Sequence, residues 1–141
     1  MKKLFLFVFI MMSISSCSDG EDEGGKIVGL WKETSADYTV LVAGTNEVLS
    51  TEPIENSYPY TYKFEKDGTC TSWYRGLSNS RTYDIANNKL FLYGDGGVTE
   101  YFIKFNSDKQ MVLYYDHSPY MSDEYGKEVV SRWSYYFDKE L

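Results

Sequence analysis

The sequence contains few of the residues on which many known sites depend. Among 141 residues there are two cysteines and one histidine, His117. A lone histidine excludes metal sites built from several histidines, and two cysteines cannot build the disulfide framework of a small secreted domain. Apolar side chains also never recur at helical spacing over about ten residues, so a helical bundle is not expected.

Positive charge is scarce as well. The chain carries 14 lysines and arginines against 21 aspartates and glutamates, a formal net charge of −7. Binding to a phosphate backbone calls for a basic face, so nucleic acid is not an expected partner. An anionic membrane surface would repel this chain for the same reason, unless a lipid anchor held it there.

Long hydrophobic runs are limited to one segment near the start of the chain. Lys2 and Lys3 precede an uninterrupted apolar run from Leu4 to Met12. This run is too short for a membrane-spanning helix, which needs about 20 residues. A positive start followed by a short apolar run predicts a secretory signal peptide over residues 1–16.

The signal peptide ends in Ile14-Ser15-Ser16-Cys17, which resembles the lipobox of bacterial lipoproteins. In that family a branched apolar residue and two small residues precede the cysteine that becomes the lipidated N-terminus. The resemblance implies that Cys17 carries acyl chains such as palmitate, and several chains together make a durable membrane anchor. The alternative is a simple secreted protein in which Cys17 happens to lie near the cleavage site.

Acidic residues crowd the positions that follow Cys17: Asp19, Glu21, Asp22 and Glu23. Such a charged, glycine-containing stretch cannot bury enough apolar surface to fold, so residues 17–26 are predicted to form a disordered tether. The acids also resemble the export tag of surface lipoproteins in some gut-dwelling diderm bacteria. This resemblance implies an outer-membrane lipoprotein at the cell surface, with a periplasm-facing one as the alternative. Removal of residues 1–16 takes away two lysines and leaves a net charge of −9.

Past Lys26 the sequence becomes a series of short runs rich in Tyr, Phe, Val, Ile and Thr, separated by Gly, Asn, Asp and Ser. In YPYTYKFE, residues 58–65, aromatic residues occupy alternate positions, which is the period of a half-buried strand. Dipeptides that tolerate the positive φ of tight hairpins, such as Asp67-Gly68 and Asn87-Asn88, separate successive runs. We therefore predict an all-β domain over residues 27–141, an antiparallel up-and-down barrel of about eight to ten strands.

The first of these runs contains Gly29-Leu30-Trp31, which is similar to the G-x-W motif that opens lipocalins. The order of the later runs, YKFEKDGTCTSW, YDIANNKLFLY, EYFIKFNSDKQMVLYY and RWSYYFDK, resembles the small lipocalin-like domains of bacterial lipoproteins. The resemblance implies that Trp31 plugs the closed end of the barrel and that a basic residue of a late strand lies across it. Arg132 is the candidate for this basic residue, although its phase opposes that of its neighbour Trp133.

Strand alternation predicts many aromatic residues inside such a barrel: Trp31, Tyr60, Tyr62, Phe64, Tyr83, Tyr101, Phe105, Tyr115, Trp133, Tyr135 and Phe137. An eight-stranded barrel either fills with side chains or holds one small ligand. Because buried tyrosine hydroxyls need hydrogen-bond partners, tyrosines near the mouth would suit a small hydrophobic or amphipathic ligand. The candidate ligand contacts are Tyr60, Tyr83, Tyr101 and Tyr115. The alternative is an interaction or accessory module with a fully packed barrel, which captures a glycan or a protein partner through aromatic residues on its outside.

No pattern in the sequence predicts catalysis, a cofactor or a metal site. Asp116-His117-Ser118 has the residue types of a catalytic triad, but adjacent positions cannot supply the geometry of a triad. Cys70 lies in a predicted strand and is expected to be a buried, inert thiol. We therefore expect a binding protein rather than an enzyme.

Overall fold

The computed structural model describes residues 23–141. The expected lipidation site Cys17 and the predicted signal peptide lie outside the described residues. The elements in chain order are α1 (Glu23–Ile27), β1 (Gly29–Val42), β2 (Val48–Ile54), β3 (Thr61–Phe64), β4 (Thr69–Tyr74), β5 (Leu77–Ala86), β6 (Lys89–Gly94), β7 (Gly97–Ser107), β8 (Gln110–Asp116), β9 (Tyr120–Ser122) and β10 (Lys127–Lys139). Within this part of the chain, no helix is long and apolar enough to cross a membrane.

Eight of the strands form a closed antiparallel barrel, and the other two extend its wall. Around the barrel each strand is hydrogen bonded to the next in the order β1, β3, β4, β5, β6, β7, β8 and β10. The ring closes where β1 pairs with β10, from Trp31 opposite Lys139 to Val42 opposite Val129. The predicted all-β antiparallel barrel is thus confirmed.

Strands β1 and β10 are the longest, at 14 and 13 residues, and continue beyond one end of the barrel. A shift in register between Glu33 and Ser35 coincides with a change of partner in β1. Residues 29–32 pair with β3, and residues 36–41 pair with β2. Because β9 pairs with the start of β10, the four strands β2, β1, β10 and β9 form a sheet that rises from the rim, which we call the extension.

The two ends of the barrel differ in construction. The turns that join β3 to β4, β5 to β6 and β7 to β8 lie at the end where β1 begins, beside α1, and we call this the closed end. The β4–β5 and β6–β7 turns lie at the opposite end, beside the extension, and we call this the open end. Asn87 and Asn88 have φ angles of 53° and 59°, which confirms the predicted tight hairpin between β5 and β6.

A buried tryptophan and helix α1 fill the closed end. Trp31 is fully buried, and its Nε1 donates a hydrogen bond to the carbonyl oxygen of Ile27 at 2.6 Å. The Nζ of Lys139 lies 5.1 Å from the centre of the Trp31 ring and donates to the carbonyl oxygen of Lys26 at 2.9 Å. Trp31 therefore lies where the lipocalin resemblance implied, with a cation across its ring.

The prediction that Arg132 supplies this cation is wrong. Arg132 lies on the outer face of the barrel, where its Nε and Nη2 donate to the two carboxylate oxygens of Asp116 at 2.7 and 2.9 Å. Strand residues alternate between faces, and Arg132 is out of phase with the inward side chains of β10. Lys139 is in phase with them and lies directly opposite Trp31 in the β1–β10 pairing.

Two element boundaries differ from the expected ones. The end of the predicted tether, from Glu23 to Lys26, belongs to helix α1, whose carbonyl oxygens accept the hydrogen bonds from Trp31 and Lys139. Strand β3 begins at Thr61 rather than at Tyr58, because the register shift in β1 ends its ladder with β3 there.

Candidate functional site

Inward-facing side chains fill most of the barrel. As predicted from the alternation, Trp31, Tyr62, Phe64 and Phe137 are buried in the core, and Tyr60, Tyr83, Tyr101, Phe105 and Tyr135 pack against it. The cavity left among them has a volume of about 20 Å³ and is lined by Tyr60, Tyr62, Tyr101, Leu113, Tyr135 and Phe137. A single water needs about 10–15 Å³ of such space. This part of the interior therefore has room for about one water, which favours the packed-barrel alternative over a ligand buried among these residues.

Aromatic rings that the core does not bury gather at the open end. We call this half-buried group the aromatic mouth, and it consists of Tyr60, Tyr74, Tyr115, Trp133 and Tyr135. The rings of Tyr60 and Tyr74 are stacked with centroids 4.4 Å apart, and Trp133 lies parallel to Tyr115 at 6.5 Å. Tyr135 links the two pairs, since its ring lies 6.1 Å from Tyr60 and 6.4 Å from Tyr115. The mouth is thus one continuous aromatic surface.

The structure brings three of the four predicted ligand contacts together at this end. Tyr60 and Tyr115 belong to the mouth, and the Tyr101 ring packs edge-on against Tyr115 with centroids 6.1 Å apart. Tyr83 lies towards the closed end, where its hydroxyl donates to the carbonyl oxygen of Glu65 at 2.9 Å. Strand β5 runs from the open end to the closed end, so the inward phase of Tyr83 was correct while its depth was not visible in the sequence.

Two residues, Tyr74 in the mouth and Arg75 beside it, were not predicted from the sequence. Tyr74 shares the inward phase of Cys70 on β4, which is a weak signal that could have identified it. Arg75 follows it in the β4–β5 turn, and its guanidinium carbon lies 4.9 Å from the centre of the Tyr58 ring and 5.1 Å from that of Tyr74. Its φ of 53° is uncommon for a residue other than glycine. The turn therefore holds a cation against the aromatic rim.

A buried carboxylate positions the loop that leads into the mouth. Glu33 is 7% exposed, and its Oε2 accepts a hydrogen bond from the backbone N–H of Tyr60 at 2.8 Å. Its Oε1 accepts another from the Asn56 amide nitrogen at 2.9 Å. The backbone N–H of Glu33 in turn donates to the carbonyl oxygen of Tyr60. One residue of β1 thus holds the β2–β3 loop in place where the strand ladder ends.

We expect Glu33→Ala to lower the free energy of unfolding by about 1–3 kcal/mol, because it leaves two donors of the loop without their acceptor. The measurement is denaturant unfolding of the two proteins. Glu52→Ala is the matched control, since Glu52 lies exposed on the neighbouring strand β2 and should change stability by no more than about 0.5 kcal/mol. Equal losses from the two substitutions would contradict the role of Glu33.

Burial raises the pKa of several tyrosines in and beside the mouth. The pKa of Tyr62 lies well above its ordinary value of 10.0, chiefly because burial disfavours the phenolate. The pKa values of Tyr101 and Tyr135 are raised by the same cause. The pKa of Tyr60 is also raised, mainly by burial and next by the neighbouring Tyr74. At neutral pH these hydroxyls are therefore neutral groups that can both donate and accept hydrogen bonds.

We expect the barrel to lose stability as the pH rises above about 10, since a raised pKa in the fold means that the unfolded chain releases its protons first. The stability that these tyrosines contribute is fully present below that pH and is lost as the pH rises through their folded pKa values. Tyrosinate absorbance and circular dichroism should therefore change together for the buried tyrosines. Ionisation of all 14 tyrosines before any change in circular dichroism would contradict this expectation.

The side chains of residue types common in catalysis either contact other side chains or are buried. Both carboxylate oxygens of Asp116 accept hydrogen bonds from Arg132, and the His117 ring packs edge-on against Tyr115 at 5.4 Å. Cys70 is buried as predicted, and burial raises the pKa of its thiol to about 12, so it is protonated at neutral pH. Among residues 23–141, no three His, Cys, Asp or Glu side chains cluster as ligands to a metal would.

Comparisons with protein-family models, with curated proteins and with solved structures give no match for this chain.

Proposed function

We propose that this chain is a lipid-anchored outer-membrane protein of the cell surface that binds carbohydrate at its aromatic mouth and catalyses no reaction. The observation that carries the proposal is the placement of aromatic rings. The barrel core is packed around Tyr62 and Phe137, whereas half-buried rings gather at one rim. An aromatic surface open to solvent can bind a glycan from outside the barrel. This is the glycan-capturing alternative predicted from the sequence.

Stacked tyrosine and tryptophan rings suit a sugar because both partners combine apolar and polar surface. The flat face of a ring packs against the C–H groups of a sugar, and the phenol and indole groups at its edge hydrogen bond to hydroxyls. In the mouth, Tyr74 stacks on Tyr60, Trp133 lies parallel to Tyr115, and both residues are half-exposed. A few polar groups placed among apolar ones is the usual composition of a small-molecule site.

The direction in which the chain enters the barrel supports the same proposal. Helix α1, where the described part of the chain begins, lies at the closed end. An anchor at Cys17 would therefore hold the closed end towards the membrane and leave the mouth facing outwards. Large exposed apolar side chains also lie at this end, on the extension (Val48, Tyr120 and Met121), in the loop before β3 (Tyr58) and next to the β4–β5 and β6–β7 turns (Leu77 and Val98).

The test is a titration of the full-length chain with neutral and acidic oligosaccharides, followed by tryptophan fluorescence and thermal stability. We expect Trp133 to report binding, and a ligand at 100 times its dissociation constant should stabilise the fold by about 2.7 kcal/mol. Tyr74→Ala should weaken binding by about tenfold or more, the loss of one central aromatic contact. Tyr93→Ala is the matched control, because Tyr93 is 40% exposed but points to the outer wall.

Absence of binding across the oligosaccharide panel would overturn the proposal, and so would equal losses from Tyr74→Ala and Tyr93→Ala. Fatty acids, sterols and haem belong in the same titration as probes of the barrel interior. Binding of one of these ligands that survives Tyr74→Ala would place the site inside the barrel instead.

A further inference from the structure

A second, polar pocket lies beside the aromatic mouth. It has a volume of about 280 Å³ and is lined by Asn79, Arg81, Gly94, Asp95, Gly96, Gly97 and Thr99. These residues come from β5 and from both sides of the β6–β7 turn at the open end. Thr99 precedes Tyr101 by two positions on β7, so the two side chains share a face of the sheet. Tyr101 in turn contacts Tyr115 of the mouth, so the pocket and the mouth share the inner face at the open end.

Arg81 is the residue that gives this pocket its chemistry. It lies opposite the buried Cys70 in the β4–β5 pairing, and paired residues project to the same face, so the Arg81 side chain starts from the inner face of the barrel. Its Nη1 donates to the Thr99 hydroxyl at 3.4 Å. Gly94 makes room for the side chain, since a Cβ at that position would lie 3.2 Å from the Cγ of Arg81.

The Arg81 guanidinium has no acidic partner within the described chain. Among residues 23–141, no carboxylate oxygen lies within 4.0 Å of its nitrogens, whereas Arg132 is paired with Asp116. A guanidinium presents five N–H donors in a fixed fork that matches an acidic group on a ligand. The half-buried Arg81 guanidinium, with the Thr99 hydroxyl as its one partner, is thus suited to bind an anion that enters the pocket.

We propose that the pocket is a subsite for the anionic group, a carboxylate or a sulfate, of an acidic sugar in the bound oligosaccharide. Arg81 takes the anionic group. Asn79 and Asp95 supply an amide and a carboxylate that hydrogen bond with sugar hydroxyls. This subsite rests on the proposed function, because the rings of the aromatic mouth would bind the rest of the glycan.

The experiment compares calorimetric affinities of the full-length chain for a uronic-acid oligosaccharide, a sulfated one and a neutral one of equal length. We expect an acidic oligosaccharide to bind about tenfold or more tightly than the neutral one, as a charge-assisted hydrogen bond implies. Arg81→Gln should remove this preference and leave the affinity for the neutral oligosaccharide unchanged. Lys104→Gln, which removes an exposed charge from the outer face, should leave the preference intact.

Gly94→Ala provides a second variant that keeps every charge. Its added Cβ would force the Arg81 side chain to shift by a few tenths of an ångström, so the preference for the acidic oligosaccharide should fall while the thermal unfolding curve confirms that the barrel is folded. A preference that persists in Arg81→Gln, or equal affinity of the wild-type chain for acidic and neutral oligosaccharides, would overturn the anion subsite alone. Failure of all three oligosaccharides to bind would instead overturn the proposed function.

Discussion

Replacing Trp31 with alanine is expected to lower the free energy of unfolding by about 3–5 kcal/mol, the usual range for removing a large buried aromatic side chain. The side chain is fully buried and packs against Phe105 with centroids 6.0 Å apart. Its loss would also remove the hydrogen bond to Ile27 and the contact with Lys139 that hold helix α1 over the closed end. Urea unfolding of the two proteins measures the difference.

Trp73→Ala is the matched control for Trp31→Ala. Trp73 is a tryptophan of the same barrel that is half-exposed on β4, so its removal should cost clearly less. A loss below about 1 kcal/mol for Trp31→Ala would contradict the role of Trp31 as the plug of the closed end. That result would also weaken the resemblance to lipocalins.

Replacing Cys17 with alanine is expected to release the protein from membranes. The expectation rests on the sequence Ile14-Ser15-Ser16-Cys17 after a short apolar run, because acyl chains on Cys17 would be the anchor and alanine cannot accept them. Cell fractionation and incorporation of labelled palmitate measure the effect. A variant that still fractionates with membranes and still takes up palmitate would contradict the anchoring hypothesis.

The acids that follow Cys17 provide the control for this experiment. Replacing Asp19, Glu21, Asp22 and Glu23 with alanine should leave palmitate incorporation intact and reduce exposure of the protein to external protease. Unchanged exposure to protease would mean that the acidic stretch is a linker without a role in export to the cell surface.

The sequence was sufficient to predict the fold because strand alternation and turn chemistry are local properties. The period of two in residues 58–65 and the Asn87-Asn88 turn each depend on a few neighbouring residues. The contact between Lys139 and Trp31 could not be predicted in the same way, since it depends on the register of two strands far apart in the chain. Strand alternation in the sequence already placed Arg132 on the outer face, and the structure confirms this position.

The candidate site was predictable only in part for a similar reason. Alternation indicates which face of a strand a side chain occupies, but the depth of Tyr83 and Tyr115 depends on the direction in which each strand runs through the barrel. The pocket around Arg81 requires a glycine, Gly94, on the neighbouring strand, and no local pattern links the two. The closeness of packing in the interior is likewise a property of the whole barrel.

A crystal structure of the full-length chain with the oligosaccharide that gives the largest thermal stabilisation would locate the bound sugar directly. We expect a sugar ring stacked on Tyr74 or Trp133 at the open end, with the cavity beside Tyr62 and Phe137 no larger than its present volume of about 20 Å³. A ligand lodged inside an expanded barrel, or bound on the outer wall away from the mouth, would contradict this expectation.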